Sequence, residues 1–298
     1  MIVIHVMGGL GNQLYQYALY EKFRALGREV KLDVYAYRQA EGAEREWRAL
    51  ELEWLEGIQY EVCTAAERQQ LLDNSMKLVD RVRRRLTGRR DKTVRECAAY
   101  MPEIFEMDDV YLYGFWGCEK YYEDIIPLLQ EKIVFPESSN PKNADALRAM
   151  AGENAVSVHI RRKDYLTVAD GKRYMGICTD AYYKSALRYI TEHVERPVFY
   201  IFSDDPAFAK AQFCEENMHV VDWNTGRESL QDMALMSRCR HNICANSTFS
   251  IWGARLNRQP DKIMIRPLHH DNYEALDAGT VHEYWKGWVL IDADGNMC

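Results

Sequence analysis

Val156-Ser-Val-His159-Ile-Arg161-Arg162-Lys-Asp164-Tyr165 is an alternating apolar run that ends in a histidine, two arginines and an aspartate. Such a run predicts a strand over 155–160, with the charged residues at its carboxyl end. In open α/β sheets that end is where ligands bind, and arginine's planar fork grips phosphate oxygens in pairs without losing its charge. An Arg-Arg pair is as often solvated surface or ion-paired with nearby acids, so the surroundings decide between the two readings.

Downstream the pattern alternates strictly. Periodicity predicts helix 179–194, strand 197–203, helix 206–214 and strand 218–222, then helix 229–239, strand 241–245, helix 247–257 and strand 262–266. That alternation implies a doubly wound parallel sheet. Upstream, strand 1–6, a glycine-rich turn, a helix over 12–26 and strand 30–35 make a β-α-β start, with Leu14, Ala18, Phe23 and Leu26 at helical spacing. Residues 38–107 are irregular and charged, and a strand resumes at Tyr111-Leu-Tyr-Gly-Phe-Trp116. Turn formers crowd Phe135-Pro-Glu-Ser-Ser-Asn-Pro-Lys142, which places the domain boundary there, giving 1–140 and 141–298.

A chain of 298 residues has room for two domains with sizeable cores. Apolar residues at 47% and charged residues at 28% are an ordinary globular mixture, and a net charge of -7 argues against nucleic acid as a partner. The eight cysteines form no Cys-x-x-Cys pair and no zinc-like spacing, so they read as reduced thiols of a cytoplasmic protein. Met1-Ile-Val-Ile-His-Val6 has strand length and no basic leader, which makes it a first strand instead of a signal, and no stretch is apolar enough to span a membrane.

Three further strand ends carry polar clusters. Gly8-Gly9-Leu-Gly11-Asn12-Gln13 follows the first strand and opens a helix, so its amides can approach an anion or a sugar closely. A dinucleotide fingerprint is the rival, with Asp33 near the place of a ribose-binding acid, but Leu14 stands where the third glycine is needed. A purely structural turn is the other alternative. Ser203-Asp204-Asp205-Pro206 offers aspartates either to cap the next helix or to accept hydrogen bonds from a guanine edge or ribose. Asn246-Ser247-Thr248-Phe249 opens another helix, as an ordinary cap or as a phosphate site. Asp292-Ala-Asp294 has the DxD form of metal-binding glycosyltransferases, but its Asp-Gly-Asn setting reads as a surface turn. No essential metal is expected.

Together these segments resemble the bacterial α-1,2-fucosyltransferases of glycosyltransferase family 11. The resemblance rests on Gly8-Gly9-Leu-Gly-Asn12-Gln13, His159-Ile-Arg161-Arg162-Lys-Asp164-Tyr165, Phe202-Ser-Asp204-Asp205, and the run from Asp232 through His241 and Asn246-Ser247-Thr248-Phe249-Ser250 to Gly253. Ile251 departs from the family's usual second tryptophan, and the middle section matches weakly. The resemblance implies a GT-B architecture, two Rossmann-like domains across a cleft, with a C-terminal helix free to pack back on the first. It implies inverting transfer of L-fucose from GDP-β-L-fucose to the 2-hydroxyl of a terminal β-galactose. Arg161 would hold the β-phosphate and Arg162 support the loop by an ion pair. His159 and Asp204 would read the guanine. Asn246, Ser247, Thr248 and Phe249 would add donor contacts, and Gly9, Gly11 and Asn12 would lie against the diphosphate or fucose. Asp164 is the candidate base, or else an arginine orienter, with Asn12 able to position the acceptor hydroxyl. The alternatives are a non-catalytic GDP-sugar or glycan-binding protein and a fucosyltransferase with another acceptor. Arg81-Val-Arg83-Arg84-Arg85-Leu-Thr-Gly-Arg89-Arg90 reads as a solvated helix face or as a contact with a lipid-linked glycan at an anionic membrane.

Overall fold

The computed structural model describes residues 1–39, 49–72, 78–87, 91–167, 171–273 and 276–298. The chain divides into two compact units, Met1–Leu129 and Gln130–Cys298. That division precedes the expected 140/141 boundary. The turn-rich stretch lies inside the second unit, where Asn140 caps the helix Pro141–Ala151 by accepting the Lys142 amide at 3.1 Å, and Pro141 occupies its first turn.

Among its described residues the first unit holds four parallel strands, β1 (Ile2–His5), β2 (Val30–Asp33), β3 (Thr93–Arg95) and β4 (Val110–Tyr113), in the order β2-β1-β4-β3. The helix Leu10–Ala25 joins β1 to β2 and is buried along most of its length. At the carboxyl ends of these strands lies a buried ionic knot. Asp33 takes a hydrogen bond from the Arg68 guanidinium at 2.7 Å and one from the Tyr111 hydroxyl at 2.5 Å, while the Tyr35 amide donates to its other oxygen at 3.0 Å. Burial opposes ionisation of Asp33, but those hydrogen bonds and the nearby His5 outweigh it and hold the carboxyl well below the usual range. Asp33 therefore serves this knot and is not a ribose-binding acid.

Among its described residues the second unit contains six strands: β5 (Asn154–Ile160), β6 (Pro197–Ser203), β7 (Met218–Val221), β8 (His241–Ile243), β9 (Met264–Pro267) and β10 (Trp288–Ile291). Every pairing is parallel and the order is β10-β9-β8-β5-β6-β7. β5 is buried along nearly all of its length, as a strand covered on both faces must be. Val156, Val158 and Ile160 face the helix Asp180–His193 through Tyr182, Ala186 and Ile190. The opposite face carries Ala155, with Tyr200 and Phe202 of β6, against the helices Pro141–Ala151 and Leu230–Arg238. Gly253 permits the helix Thr248–Leu256 to press on Leu230–Arg238, since a Cβ there would lie 2.8 Å from Met236 Cβ. The last helix, Ala278–Tyr284, is the crossover from β9 to β10, and the chain closes on the second sheet. β10 was absent from the sequence reading. None of the eight cysteines is bonded to another, and Cys239 and Cys244 are core residues.

Removing the Asp33 carboxylate takes the charge partner from Arg68 and leaves the Tyr111 hydroxyl with His5 alone. Asp33→Ala is expected to destabilise the protein by about 2–3 kcal/mol in urea unfolding near neutral pH, discounted because Arg68 is partly exposed. With a depressed folded-state pKa, this stabilisation is present above the ordinary carboxylate range and is lost as pH falls below it. The gap between wild type and variant should therefore narrow in acid; equal midpoints at neutral pH would dissolve the knot's role.

Candidate functional site

From β5 the chain winds outward through β6 to β7, then returns to the other side of β5 and continues from β8 to β10. The winding direction thus reverses between β5 and β8. Beyond the carboxyl ends of two such strands the connecting segments part and leave a crevice. Two of the sequence clusters emerge there: Arg161 to Tyr165 after β5, and Cys244 to Phe249 after β8.

The arginine loop is fixed by the acids that follow β6. Asp204 accepts the Arg162 amide at 2.8 Å through Oδ1, and its Oδ2 lies 3.5 Å from Arg161 Nε. Asp205 Oδ2 pairs with Arg162 Nη1 at 3.1 Å, and the Arg162 guanidinium sits 4.3 Å from the Phe208 ring centroid. Asp205 also caps the helix Pro206–Gln212 by accepting the Phe208 amide at 3.4 Å. Arg162 is thus tied to the helix that follows β6. Arg161, three-quarters buried, is held by its stem with the guanidinium oriented by Asp204.

His159 lies on the same face of β5 as Ala155 and is buried, with its ring 5.8 Å from that of Phe249. Burial first, and the charge of Arg161 second, press its pKa down to about 3, so the imidazole is neutral across the physiological range. Its Nδ1 has no hydrogen-bond partner among the described residues. A buried polar atom without a partner calls for an explanation, and a ligand group arriving from the crevice supplies one.

Ser247 is the N-cap residue of Thr248–Leu256 in extended conformation, yet no side chain caps this helix and no acid stands in its first turn. Asn246 is occupied elsewhere. Its side-chain nitrogen donates to the carbonyls of Tyr174 at 3.0 Å and His270 at 3.1 Å, and its amide faces Cys178 Sγ at 3.3 Å. The Tyr165 hydroxyl donates to the Asn246 carbonyl at 2.8 Å, while the Tyr165 ring stacks on Tyr174 at 5.1 Å. Asn246 is therefore a latch joining three segments, and Ser247, Thr248 and Phe249 stand half-buried at an uncapped helix entrance suited to an anion. The latched segments are braced by Arg173 on Asp271 at 2.8 Å, and by Asn272, whose side chain donates to the carbonyls of Lys172 and Met175 at 2.8 and 2.9 Å. Beside Arg161 and Arg162 opens a cavity of about 530 Å³ walled by Tyr165, Tyr183, Phe208 and Phe213.

The glycine loop belongs to the first unit. Gly8 has φ +81°, and a Cβ there would lie 2.4 Å from the side-chain nitrogen of Asn12. Gln13, fully buried, donates to the carbonyls of Gly8 and Ala49 at 2.9 Å each and accepts the Leu52 amide at 3.0 Å. Glu51 accepts the Leu10 amide at 2.8 Å, so the chain's own carboxylate occupies the positive end of the helix Leu10–Ala25. Gly9 is that helix's N-cap residue, Gly11 is buried and Asn12 half-buried.

Within the second unit the structure thus gathers His159, Arg161, Asp204, Ser247, Thr248 and Phe249 around one switch point. Asp164 is in the short helix Lys163–Thr167, and its side chain lies outside the described residues. Sequence reasoning missed the latch formed by Tyr165, Tyr174, Cys178 and His270 because it depends on contacts between segments that no local pattern announces. Asp292 accepts the amides of Asp294 at 2.9 Å and Asn296 at 2.8 Å, the surface turn expected of the DxD stretch. Among the described residues no cluster of three or more His, Cys, Asp or Glu has metal-binding geometry.

Residues 91–292 match the sequence profile of glycosyl transferase family 11. The O-antigen biosynthesis glycosyltransferase WbnK of Escherichia coli is 43% identical over 115 residues, 38% of this chain and 38% of that protein. An alpha-1,2-colitosyltransferase of Escherichia coli is 34% identical over 170 residues, 55% of this chain and 57% of that protein. The matches thus cover 38% and 57% of these relatives, short of two thirds of either. Among solved structures, an Arabidopsis thaliana FUT1 mutant in complex with GDP superposes with a TM-score of 0.50 at 10% identity, over 90% of this chain and 71% of that one. That likeness concerns the fold alone.

Tyr165→Phe deletes the bond to the Asn246 carbonyl but keeps the ring on Tyr174. With one hydrogen bond worth about 1 kcal/mol, urea unfolding should show the variant less stable by about that amount. Unaltered stability would reduce Tyr165 to a packing residue.

Proposed function

The chain belongs to glycosyl transferase family 11 and has an α/β fold of GT-B type, and on that premise we propose that it transfers L-fucose from GDP-β-L-fucose to the 2-hydroxyl of a terminal β-galactose, inverting the anomeric centre. The observation that carries the donor reading is the unpartnered Nδ1 of buried His159, set beside Arg161 and an uncapped helix N-terminus at the sheet's switch point. A neutral imidazole can hydrogen-bond a purine without bringing a charge, and a carboxylate such as Asp204 is the acceptor that guanine N–H groups require.

Chemistry follows from charge. As the bond from the anomeric carbon to GDP breaks, negative charge grows on the diphosphate. A guanidinium oriented in advance by Asp204, with amides at the entrance of Thr248–Leu256, stabilises that charge more in the transition state than in the ground state. These groups give the leaving diphosphate a charge partner made of protein alone, and the proposal accordingly includes no essential metal. Asp164 is proposed as the base that takes the acceptor hydroxyl proton, with Asn12 positioning that hydroxyl. Gly9 and Gly11 supply the open backbone from which Asn12 projects. Location in the cytoplasm and a glycan acceptor of bacterial surface-polysaccharide assembly complete the proposal. Among the described residues no helix is long and apolar enough to cross a membrane. The colitosyltransferase relative favours a second donor, since colitose is fucose without its 3-hydroxyl.

The deciding experiment incubates the protein with GDP-fucose or GDP-colitose and a panel of lactose, N-acetyllactosamine and galacto-N-biose, reading GDP release and the product linkage by NMR. An α-1,2-linked fucoside on galactose is the expected product; faster transfer of colitose would exchange the donor, and GDP-fucose binding without product on any acceptor would favour a binding protein. In the same assay Arg161→Ala should lower kcat/KM by at least about a hundredfold with the fold intact. Asp164→Asn should depress kcat far more than donor affinity, and equal losses in both would make it a structural residue. Excess EDTA should leave the rate unchanged, and a collapse rescued by added Mn²⁺ would return a metal to the mechanism.

A further inference from the structure

The helix Leu78–Thr87, in the first unit, exposes its apolar residues instead of burying them. Leu78 is 74% exposed, Val79 78%, Val82 50% and Leu86 82%. Among the described residues no other stretch of this length presents four large apolar side chains to solvent. They are not scattered: at 3.6 residues per turn the four fall within an arc of about 100°, one stripe along the helix. Arg81 and Arg85, both exposed, stand one turn apart along an edge of that stripe. The ten residues from 81 to 90 contain six arginines in a chain whose net charge is -7, so the segment locally inverts the sign of the protein.

A solvated helix face has no use for four exposed aliphatic side chains, and a face meant for a protein core has no use for a border of guanidinium groups. An apolar stripe edged by arginines matches the boundary of an anionic bilayer, where aliphatic side chains enter among the upper acyl carbons and guanidinium groups meet lipid phosphates. We propose that Leu78–Thr87 is a peripheral membrane-docking helix that lies in the plane of an anionic lipid surface, with Leu78, Val79, Val82 and Leu86 inserted and Arg81 and Arg85 on the headgroups. The charge of the segment selects this occupant: an anionic lipid surface presents phosphates to every arginine of the row at once. The contact is reversible, since a single short helix inserts too little apolar area for permanent anchoring. It concerns where the protein works and holds whichever sugar it transfers.

The test is co-sedimentation of the full chain with vesicles of phosphatidylcholine alone or with about one third phosphatidylglycerol. The intact protein should bind the anionic vesicles and leave the neutral ones, with binding that weakens as salt is raised. Arg81→Gln with Arg85→Gln should lower the partition coefficient about 25-fold, about fivefold per charge. Leu78→Gln with Leu86→Gln should lower it at least about tenfold even at low salt. Both pairs should keep the circular dichroism spectrum and transfer to a soluble acceptor, because neither belongs to the residues assigned to transfer; should a pair misfold, Leu86→Gln alone, at the most exposed of these positions, provides the reading. Equal binding by intact protein and both variants would overturn the proposal. So would an absence of vesicle binding together with a dimer that Leu86→Gln dissolves, which would assign the stripe to a second copy of the chain.

Discussion

A parallel sheet that reverses its winding between β5 and β8 is the constraint from which the site follows. Every strand points the same way, so every carboxyl end lies at one edge, and only at the reversal do the segments beyond two neighbouring strands lead away from each other. The opening is therefore a property of topology before it is one of side chains. What the side chains add is sign. β5 delivers His159 and Arg161, β6 delivers the acids that orient the arginines, and β8 leads into a helix whose first amides face outward uncapped. The three strands sit side by side with fixed register, Ile160 opposite Ser203 and Val158 opposite Ile243, so the groups they carry are placed by backbone hydrogen bonds instead of by flexible loops alone.

Two arginines in sequence invite the assumption that both act on a ligand, and the packing separates them. Arg162 is paired with Asp205, lies over Phe208 and lends its amide to Asp204, all of which tie it to the start of the helix after β6. Arg161 has its Nε 3.5 Å from the same Asp204, which orients the guanidinium. Its planar fork of five donors is what allows one guanidinium to meet several acceptors at once. His159 next to it stays uncharged: a second cation in a buried place, beside an arginine, costs more than proton loss. The pair thus combines a fixed positive charge with a neutral hydrogen-bonding ring, which suits a ligand with a diphosphate at one end and a base at the other.

The second sheet was legible in the sequence because each of its buried strands is a short apolar run between helices of ordinary amphipathic spacing. From β5 through β9 the expected and observed elements agree to within a few residues. The first unit was harder to read. β3 has only three residues, none fully buried, so it lacks the apolar signature that identifies a strand. β10 was overlooked because Trp288–Ile291 follows a turn near the end of the chain and shows no alternation. At the site, clusters near strand ends could be located, but their division of labour could not. Asn246 looked like a cap or a phosphate ligand, and its side chain is a latch beneath the helix entrance, held by Tyr174 and His270 far away in sequence.

The glycine loop shows how much of a sequence signal can be structural. Gly8-Gly9-Leu-Gly11 before a helix has the form of an anion cradle, yet the Leu10 amide already holds the Glu51 carboxylate at 2.8 Å. A diphosphate brought to that helix end would meet a fixed negative charge where it needs an amide, and expelling Glu51 would forfeit a charge-assisted hydrogen bond of about 1.5–3 kcal/mol. Thr248–Leu256, with neither acid nor side-chain cap, asks no such exchange. The glycines have a different use. Gly8 adopts a left-handed conformation that brings Asn12 down upon it, where any Cβ would collide, and Gln13 fastens the Gly8 carbonyl from below. The loop is thus a rigid mount for Asn12, built from the glycine conformation above it and the Gln13 amide beneath.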